Sequence, residues 1–252
     1  MPRLSTLKQF LDDLYGTPDY KFTKKSASIS AEKPRAITHG TSYVKKIALC
    51  VNATNETIKE AMKRKADIII AHNSEFLDEK STEEKQKILK DNQITLYVTG
   101  QSMDTLYVYG TDYILAKAMG LKVPQVLDTK TGRGLFGSSR ISTYEMFLRR
   151  INWLTHEASE SYKNSSDTIR KAAIYAGETP KEAILELASK NGCNALLANT
   201  ADISLKTAAK DMGISLFIAN YTATERMSLV ALKKIIDDRF TTTAFILKET
   251  DY

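Results

Sequence analysis

Apolar residues along the chain occur in short runs that alternate with amphipathic stretches. The runs end on turn or polar residues, as expected for strands that are buried on both faces. The first three are "IALCV", "DIIIA" and "ITLYV". The stretch "TNETIKEAMKRKA" places Ile58 and Ala61 on one helical face, with Thr54 as the predicted N-cap. This alternation predicts an α/β fold with largely parallel strands.

The same pattern occurs twice in the chain. Residues 90–100, "KDNQITLYVTG", align with residues 210–220, "KDMGISLFIAN", and share Lys, Asp, Ile and Leu at matching positions. Upstream, residues 45–73 resemble residues 170–200, and each reads as a strand, a turn, an amphipathic helix and a second strand. This internal duplication predicts two similar α/β lobes, each with the order β-α-β-α-β.

The duplication suggests lobe boundaries. We expect a first α/β lobe with an N-terminal extension at 1–128, a connector and linking helix at 129–167, and a second α/β lobe at 168–252. The connector is predicted from "TKTGRGLFGSSR", which has three glycines and three basic residues. The Lys/Ser/Thr-rich region 17–42 is expected to wrap the first lobe as irregular structure. The late segment "TTTAFIL" predicts a further strand.

Composition narrows the class of protein. The chain has 252 residues, of which 42% are hydrophobic and 26% are charged, and this suits a globular protein with a sizeable core. No apolar run approaches the roughly 20 residues of a membrane helix. The N-terminus is amphipathic and carries acids, unlike a secretory signal, so we expect a cytoplasmic protein. Cys50 and Cys193 form no CxxC pair and are expected to be small buried residues.

The net charge of +6 permits binding of nucleotides or nucleic acid but does not require it. Most lysines are interleaved with acids, as on an ordinary solvated helix face. Lys130, Arg133 and Arg140 lie beside the glycines of the predicted connector, where they would hold a phosphate or simply face solvent. The segment lacks the strand-loop-helix context and the Lys-Ser/Thr of a phosphate-binding loop, so the solvated connector is preferred.

Candidate chemistry lies where the predicted strands end. In open α/β sheets, ligands bind beyond the carboxyl ends of the strands. The residues at these ends are His72 and Asn73, 101–104, Asn199 and Thr200, and 220–225.

The motifs at these strand ends resemble those of the Nif-three-like family, also catalogued as GTP cyclohydrolase I type 2-like proteins. Residues 47–76 are similar to its opening motif, in which an Ala-Thr turn, a helix and "ADLIIAHHP" follow in this order. The segments "VTGQSMD", "GRGLFG" and "NYTATERMSLVALKKII" resemble its later motifs. The resemblance implies a two-lobed α/β protomer and a toroidal homohexamer with a pair of divalent metals inside.

The resemblance also implies a set of metal ligands, which this chain retains in part. His72, Asp104 and Glu225 stand at positions of a family histidine, aspartate and glutamate. Asn73 and Tyr221 stand where the family has two further histidines. The three matching residues suit a site for one divalent ion, or for none if the substitutions abolish binding. Asn73 offers only a weak carbonyl oxygen, and the phenol of Tyr221 must lose a proton with a pKa of roughly 10 before it can bind a metal.

Each candidate also has a structural alternative. His72 would serve as a hydrogen-bonded histidine at a strand end, and Asp104 would cap a turn. Glu225 lies near a predicted helix start, where the helix dipole favours a carboxylate. Asn199 and Asn220 are expected to line the same pocket.

Two functions remain open on the sequence. The first is an oligomeric binding or scaffold protein, hexameric as the resemblance implies, with a degenerate metal site and little or no catalysis. Its partners would be nucleic acid or another protein. The alternative is a metal-dependent hydrolase of a nucleotide or related heterocycle, in which metal-bound water is the nucleophile.

Overall fold

The structure is a computed structural model that describes residues 1–16, 34–74, 79–105, 108–177 and 180–249, with the side chains of 79–81 left out. Residues 17–33, most of the predicted wrapping region, lie outside the described residues. The chain divides into two compact units. Within the described part, residues 104–225 form the second unit, and those on either side form the first.

The elements follow one another as the alternating pattern predicts. In the first part of the chain they are α1 (Leu4–Gly16), β1 (Arg35–Ala36), β2 (Lys46–Asn52), α2 (Asn55–Lys63), β3 (Ile68–Asn73), α3 (Glu79–Asp91), β4 (Thr95–Val98), α4 (Ser102–Thr105) and α5 (Thr111–Ala118). After these come β5 (Leu121–Asp128), β6 (Arg133–Ser139), α6 (Tyr144–Thr155), β7 (Glu160–Tyr162), β8 (Lys171–Tyr175), α7 (Glu182–Lys190), β9 (Ala195–Ala198), α8 (Ile203–Asp211), β10 (Ser215–Ile218), α9 (Tyr221–Arg239) and β11 (Thr243–Ile246).

The sheet of the first unit has the strand order β1-β4-β3-β2-β11. All neighbouring pairs are parallel except the antiparallel pair of β1 and β4 at the edge. The side chains of Ile68, Ile69 and Ile70 are fully buried, so β3 is covered on both faces as its apolar run predicts. Thr54 caps α2 by accepting a hydrogen bond from the Thr57 amide, which confirms the predicted helix start.

The sheet of the second unit has the order β5-β6-β8-β9-β10-β7. Strands β8, β9 and β10 are parallel to one another. The pairs β5–β6, β6–β8 and β10–β7 are antiparallel. The repeated module is therefore visible as β2-α2-β3-α3-β4 in one unit and β8-α7-β9-α8-β10 in the other. The predicted fold class, α/β with two similar lobes, is confirmed.

The division into units differs from the lobe boundaries expected at residues 128 and 167. The expected connector contains β6, because the apolar centre of "GRGLFG" is buried and pairs with β5 and β8. A helix, α6, occurs where the linking helix is predicted, and it lies within the second unit. The predicted late strand is present as β11, but it pairs with β2 and so belongs to the first sheet. Local sequence patterns do not predict the pairing of strands that are this far apart in the chain.

A buried carboxylate connects three elements of the second unit. Asp112, in α5, accepts hydrogen bonds from the amides of Gly134 in β6 at 2.8 Å and Ala176 after β8 at 2.7 Å. Burial raises the pKa of Asp112 to about 7, while nearby Arg133 and the two amides act in the opposite direction. Asp112 thus fixes the ends of two strands at one edge of the sheet.

Replacing Asp112 with alanine leaves two buried amides without their acceptor. We expect the free energy of unfolding to fall by about 2–4 kcal/mol at pH 5 for Asp112→Ala, measured by urea denaturation. Asp128→Ala is the matched control, because Asp128 also accepts a backbone amide, that of Lys130, but in an exposed turn. Equal losses for the two variants would contradict the role given to Asp112.

The same carboxyl predicts a pH dependence. Its pKa is about 7 when folded and near the ordinary 3.8 when unfolded, so the folded chain holds a proton that the unfolded chain releases. This stabilisation is complete below about pH 4 and is lost as the pH rises through about 7. The destabilisation caused by Asp112→Ala is therefore expected to be smaller at pH 8 than at pH 5. A difference that grows with pH in parallel denaturation series would exclude this assignment.

Candidate metal centre

The buried run of β3 ends on His72 and Asn73, whose side chains contact each other. The Nδ1 atom of His72 lies 3.1 Å from Oδ1 of Asn73, and Nδ2 of Asn73 donates to Oδ1 of Asn52 at 3.1 Å. His72 is almost fully buried. An imidazole that donates its Nδ1 proton to an oxygen keeps the Nε2 lone pair for a metal, a common arrangement of metal-binding histidines. Asn73 therefore suits the role of orienting His72.

The chain reaches Asp104 through a tight turn after β4. The Gly100 amide donates to the carbonyl of His72 at 2.9 Å, and the Met103 amide donates to the carbonyl of Gly100 at 3.0 Å. Gly100 has a φ of +57°, a backbone conformation that favours glycine. Helix α4 then begins at Ser102 and carries Asp104, which is buried.

Asp104 forms a buried ion pair with Arg133. Nη2 of Arg133 lies 3.4 Å from Oδ2 of Asp104 and donates to the carbonyl of Ala176 at 2.7 Å. The guanidinium centre is also 4.7 Å from the centroid of the Tyr175 ring. Because the carbonyl and the ring hold Arg133, its charge is fixed beside Asp104.

Gly177 leaves the space that this ion pair occupies. A Cβ atom at residue 177 would lie 2.6 Å from Oδ2 of Asp104 and 2.7 Å from Nη2 of Arg133, and the φ of Gly177 is +85°. Any side chain here would push the ion pair apart and strain the backbone. The glycine is thus required by the site and not only by the turn.

Glu225 is supplied by the first turns of α9 and is fully buried. Its Oε2 atom accepts a hydrogen bond of 2.7 Å from Oγ1 of Thr111, the first residue of α5. Thr111 is itself fully buried and precedes Asp112 in the chain. The first turn of α5 therefore supplies a hydroxyl, from Thr111, that donates to Glu225 and a carboxyl, of Asp112, that accepts from two strand-end amides.

The structure brings the three matching candidate ligands together. Ligand atoms of His72, Asp104 and Glu225 all lie within 4.8 Å of one another, and all three residues are buried. Two ligands at about 2.1 Å from one ion are at most about 4.2 Å apart, so a small movement reaches bonding distance. Two carboxylates this close repel each other when charged, and a cation between them removes the repulsion. The donor set fits one divalent ion.

The other candidate residues fix the surrounding backbone. Oδ1 of Asn199 accepts from the Gly177 amide at 2.9 Å, and Nδ2 of Asn199 donates to Oγ1 of Thr224. Oδ1 of Asn220 accepts from the Ala223 amide at 2.8 Å and so caps α9. These amides position the turn at Gly177 and the start of α9, which begins at Tyr221 and leads to Glu225.

Sequence reasoning missed three contributors to this site: Arg133, Thr111 and Asp112. Arg133 was expected in a solvated connector with Lys130 and Arg140, but its side chain is buried. Arg140 is exposed. The signal for the burial of Arg133 was the apolar run "LFG" that follows shortly after it, since an apolar run beside a charged residue can place that residue inside the core.

No helix within the described ranges is long and apolar enough to cross a membrane.

Sequence comparisons identify relatives over most of the chain. The model of the family described as Duf34/NIF3 (NGG1p interacting factor 3) matches residues 36–251. A Haemophilus influenzae protein named GTP cyclohydrolase 1 type 2 homolog is 27% identical over 204 residues, covering 77% of this chain and 80% of that protein. A Pasteurella multocida protein of the same name is 25% identical over 225 residues, covering 85% and 89%.

Solved structures show the same fold. Reduced HcgD from Methanocaldococcus jannaschii superposes with a TM-score of 0.80 at 19% identity and covers 98% of each chain. A Bacillus cereus protein related to NIF3 superposes with a TM-score of 0.77 at 12% identity, covering 99% of this chain and 97% of that one. The family match spans far more than half of the sequence and agrees with the fold. The chain belongs to the Duf34/NIF3 family.

Proposed function

We propose that this protein binds one divalent cation through His72, Asp104 and Glu225. The observation that carries the proposal is the approach of the three sets of ligand atoms to within 4.8 Å in a buried setting. One imidazole and two carboxylates suit first-row divalent metals such as zinc, iron or manganese. When bound, such an ion would act as a Lewis acid with open positions for water or a ligand.

The proposal is for one ion and not for the pair that the family resemblance implies. Asn73 stands where the family has a histidine, and its amide is engaged by His72 and Asn52. Tyr221 replaces another histidine, and a phenol is a poor ligand near neutral pH. Asp104 is also paired with the guanidinium of Arg133, whose Nη2 atom lies 3.4 Å from Oδ2 of Asp104. A fixed guanidinium supplies charge without coordination, so it lowers the need for a second metal.

We therefore propose a degenerate-site member of the family that acts mainly as a binding or scaffold protein. In this role it would form a homo-oligomer, a hexamer if it assembles as the resemblance implies, and would have weak or no catalysis. Its partners would include nucleotides or nucleic acid, which the net charge of +6 favours.

A second candidate function is a metal-dependent hydrolase of a nucleotide or related heterocycle. Three protein ligands leave room for a metal-bound water, which is the arrangement of many catalytic zinc sites. The relatives from Haemophilus influenzae and Pasteurella multocida carry the name GTP cyclohydrolase 1 type 2 homolog. In this reading, Glu225 or Asp104 would combine metal binding with proton transfer.

Metal binding is tested on purified protein after chelation and reloading. We expect one equivalent of zinc or manganese per chain by elemental analysis, together with a rise in the thermal midpoint because the metal binds only the folded state. His72→Ala is expected to weaken binding by at least about tenfold, since one of three ligands is lost. His39→Ala is the control, because His39 is an exposed histidine outside the group.

Two results would overturn the single-ion site. Two equivalents of metal per chain would indicate the two-metal site that the family resemblance implies. Equal metal affinity of the His72→Ala and His39→Ala variants would remove His72 from the ligand set.

Turnover separates the scaffold from the hydrolase. We expect the metal-loaded protein to release no product from GTP above a metal-only blank, as judged by chromatography. The reason is that the proposed site has too few ligands to hold a bridged pair of ions. Steady turnover above this blank that is abolished in Glu225→Gln, at a metal concentration high enough to load the variant, would support the hydrolase and refute the scaffold. Light scattering on the same preparation would report the oligomer size.

A further inference from the structure

Helix α6 has two chemically distinct faces. Tyr144, Phe147, Ile151 and Thr155 recur at helical spacing and are buried. On this inner face, the ring of Phe147 packs against Phe217 with a centroid separation of 4.8 Å. The core of the second unit thus accounts for one side of the helix.

The outer face carries Met146, Arg149, Arg150 and Trp153 at spacings of three, four and seven residues. All four line a groove of about 570 Å³, together with other residues that include Lys117. This volume is within the range of about 300–1,000 Å³ that is usual for ligand pockets. The groove lies entirely within the second unit and shares no residue with the candidate metal centre.

The groove combines an exposed aromatic ring with positive charge. Trp153 is the single tryptophan of the chain and is 62% exposed. The basic residues are Lys117, Arg149 and Arg150, and no acid occurs among the described residues that line the groove. Glu145, the one acid in α6, is not among the lining residues.

Arg150 holds the ring in place. Its Nε atom donates to the carbonyl of Ala118 at 3.0 Å, and its guanidinium centre lies 4.5 Å from the Trp153 ring centroid. A ring held by a fixed cation loses little freedom when a ligand stacks on it. Lys117 and Arg149 are exposed and can reach anionic groups beside the ring.

We propose that this groove binds single-stranded nucleic acid, with a base stacked on Trp153 and backbone phosphates paired with Lys117 and Arg149. Single-strand binding sites combine aromatic platforms with cations along the backbone in this way. A second copy of the chain docked through a two-fold axis would place these cations against themselves, which disfavours self-association here. In a duplex the bases are stacked on one another, so no base face is free to stack on Trp153. The inference does not depend on the metal.

The single tryptophan reports binding directly. A 12-nucleotide single-stranded DNA of mixed sequence is titrated into the full chain at low salt in the presence of EDTA. We expect saturable quenching of Trp153 fluorescence. With two cations paired with phosphates, the plot of log affinity against log salt concentration should have a slope of about −1.4.

Variants separate stacking from charge, with a fluorescently labelled oligonucleotide as the probe. Trp153→Ala is expected to weaken binding between about fivefold and a hundredfold, and Trp153→Phe to retain most of it. Ile203→Ala is the control, since Ile203 is 83% exposed and apolar but lies elsewhere. It should leave the affinity unchanged.

For the charge, the double variant Lys117→Gln/Arg149→Gln should make the salt slope shallower by about 1.4. Lys59→Gln/Lys90→Gln removes the same charge from exposed positions outside the groove and should leave the slope unchanged. Arg150 is left intact because it also binds the backbone of Ala118.

Several outcomes would overturn the inference. Equal binding of AMP and the 12-mer would make the ligand a free nucleotide. Equal binding of a duplex would remove the stacking platform. Unchanged affinity in Trp153→Ala would place the site elsewhere, and a lower mass by light scattering for Trp153→Ala, without oligonucleotide binding by the unsubstituted chain, would assign the groove to a second copy.

Discussion

The local structure of the candidate site is set by the requirement that buried carboxylates have fixed partners. Asp104, Asp112 and Glu225 are all almost fully buried, and each contacts a different kind of group. Asp104 has the guanidinium of Arg133, Asp112 has two strand-end amides, and Glu225 has a threonine hydroxyl. A charge removed from water without such partners would cost several kcal/mol. The turns and helix starts around the site are therefore constrained, because they must bring hydrogen-bond donors or a positive charge to these carboxylates.

This constraint extends to buried residues that are not candidate ligands. Gly177 lies against the Asp104–Arg133 pair and has no space for a Cβ atom. Asn199 holds the Gly177 amide and Thr224 in register, and Thr224 is adjacent to Glu225. Neither residue needs to touch a metal to affect its affinity, because Gly177 leaves space for the side chain of Asp104 and Asn199 holds Thr224 beside Glu225.

Much of the fold follows from local patterns in the sequence. Strands such as β3 and β9 are short apolar runs with polar ends, and their repetition along the chain revealed the duplicated module. The position of His72 was also accessible, since a polar residue directly after a buried parallel strand faces the carboxyl edge of the sheet. The inferences about the strands succeeded because a few neighbouring residues contain the whole signal.

The parts that could not be predicted depend on distant contacts. Strand β11 pairs with β2, which lies almost two hundred residues earlier in the chain. The sequence "TTTAFIL" predicts a strand but does not indicate which strand it pairs with. Arg133 looked solvated because glycines and basic residues surround it in sequence. Its burial depends on Asp104, the Ala176 carbonyl and the Tyr175 ring, which come from elsewhere in the fold.

Asn73, which the family resemblance places at a histidine position, illustrates how ligand loss and local structure would be related. Replacing a histidine with asparagine at position 73 removes an imidazole nitrogen but leaves an oxygen that accepts from Nδ1 of His72. The proposed metal thus loses one ligand, while the remaining histidine gains a partner that fixes its ring and the nitrogen it presents. In the proposed site, such an exchange would lower the number of ions that can be held without dispersing the remaining ligands. These contacts are the ground for proposing a single-ion centre, in which Arg133 would balance the charge on Asp104 and compete for none of the coordination positions that an ion offers to a ligand.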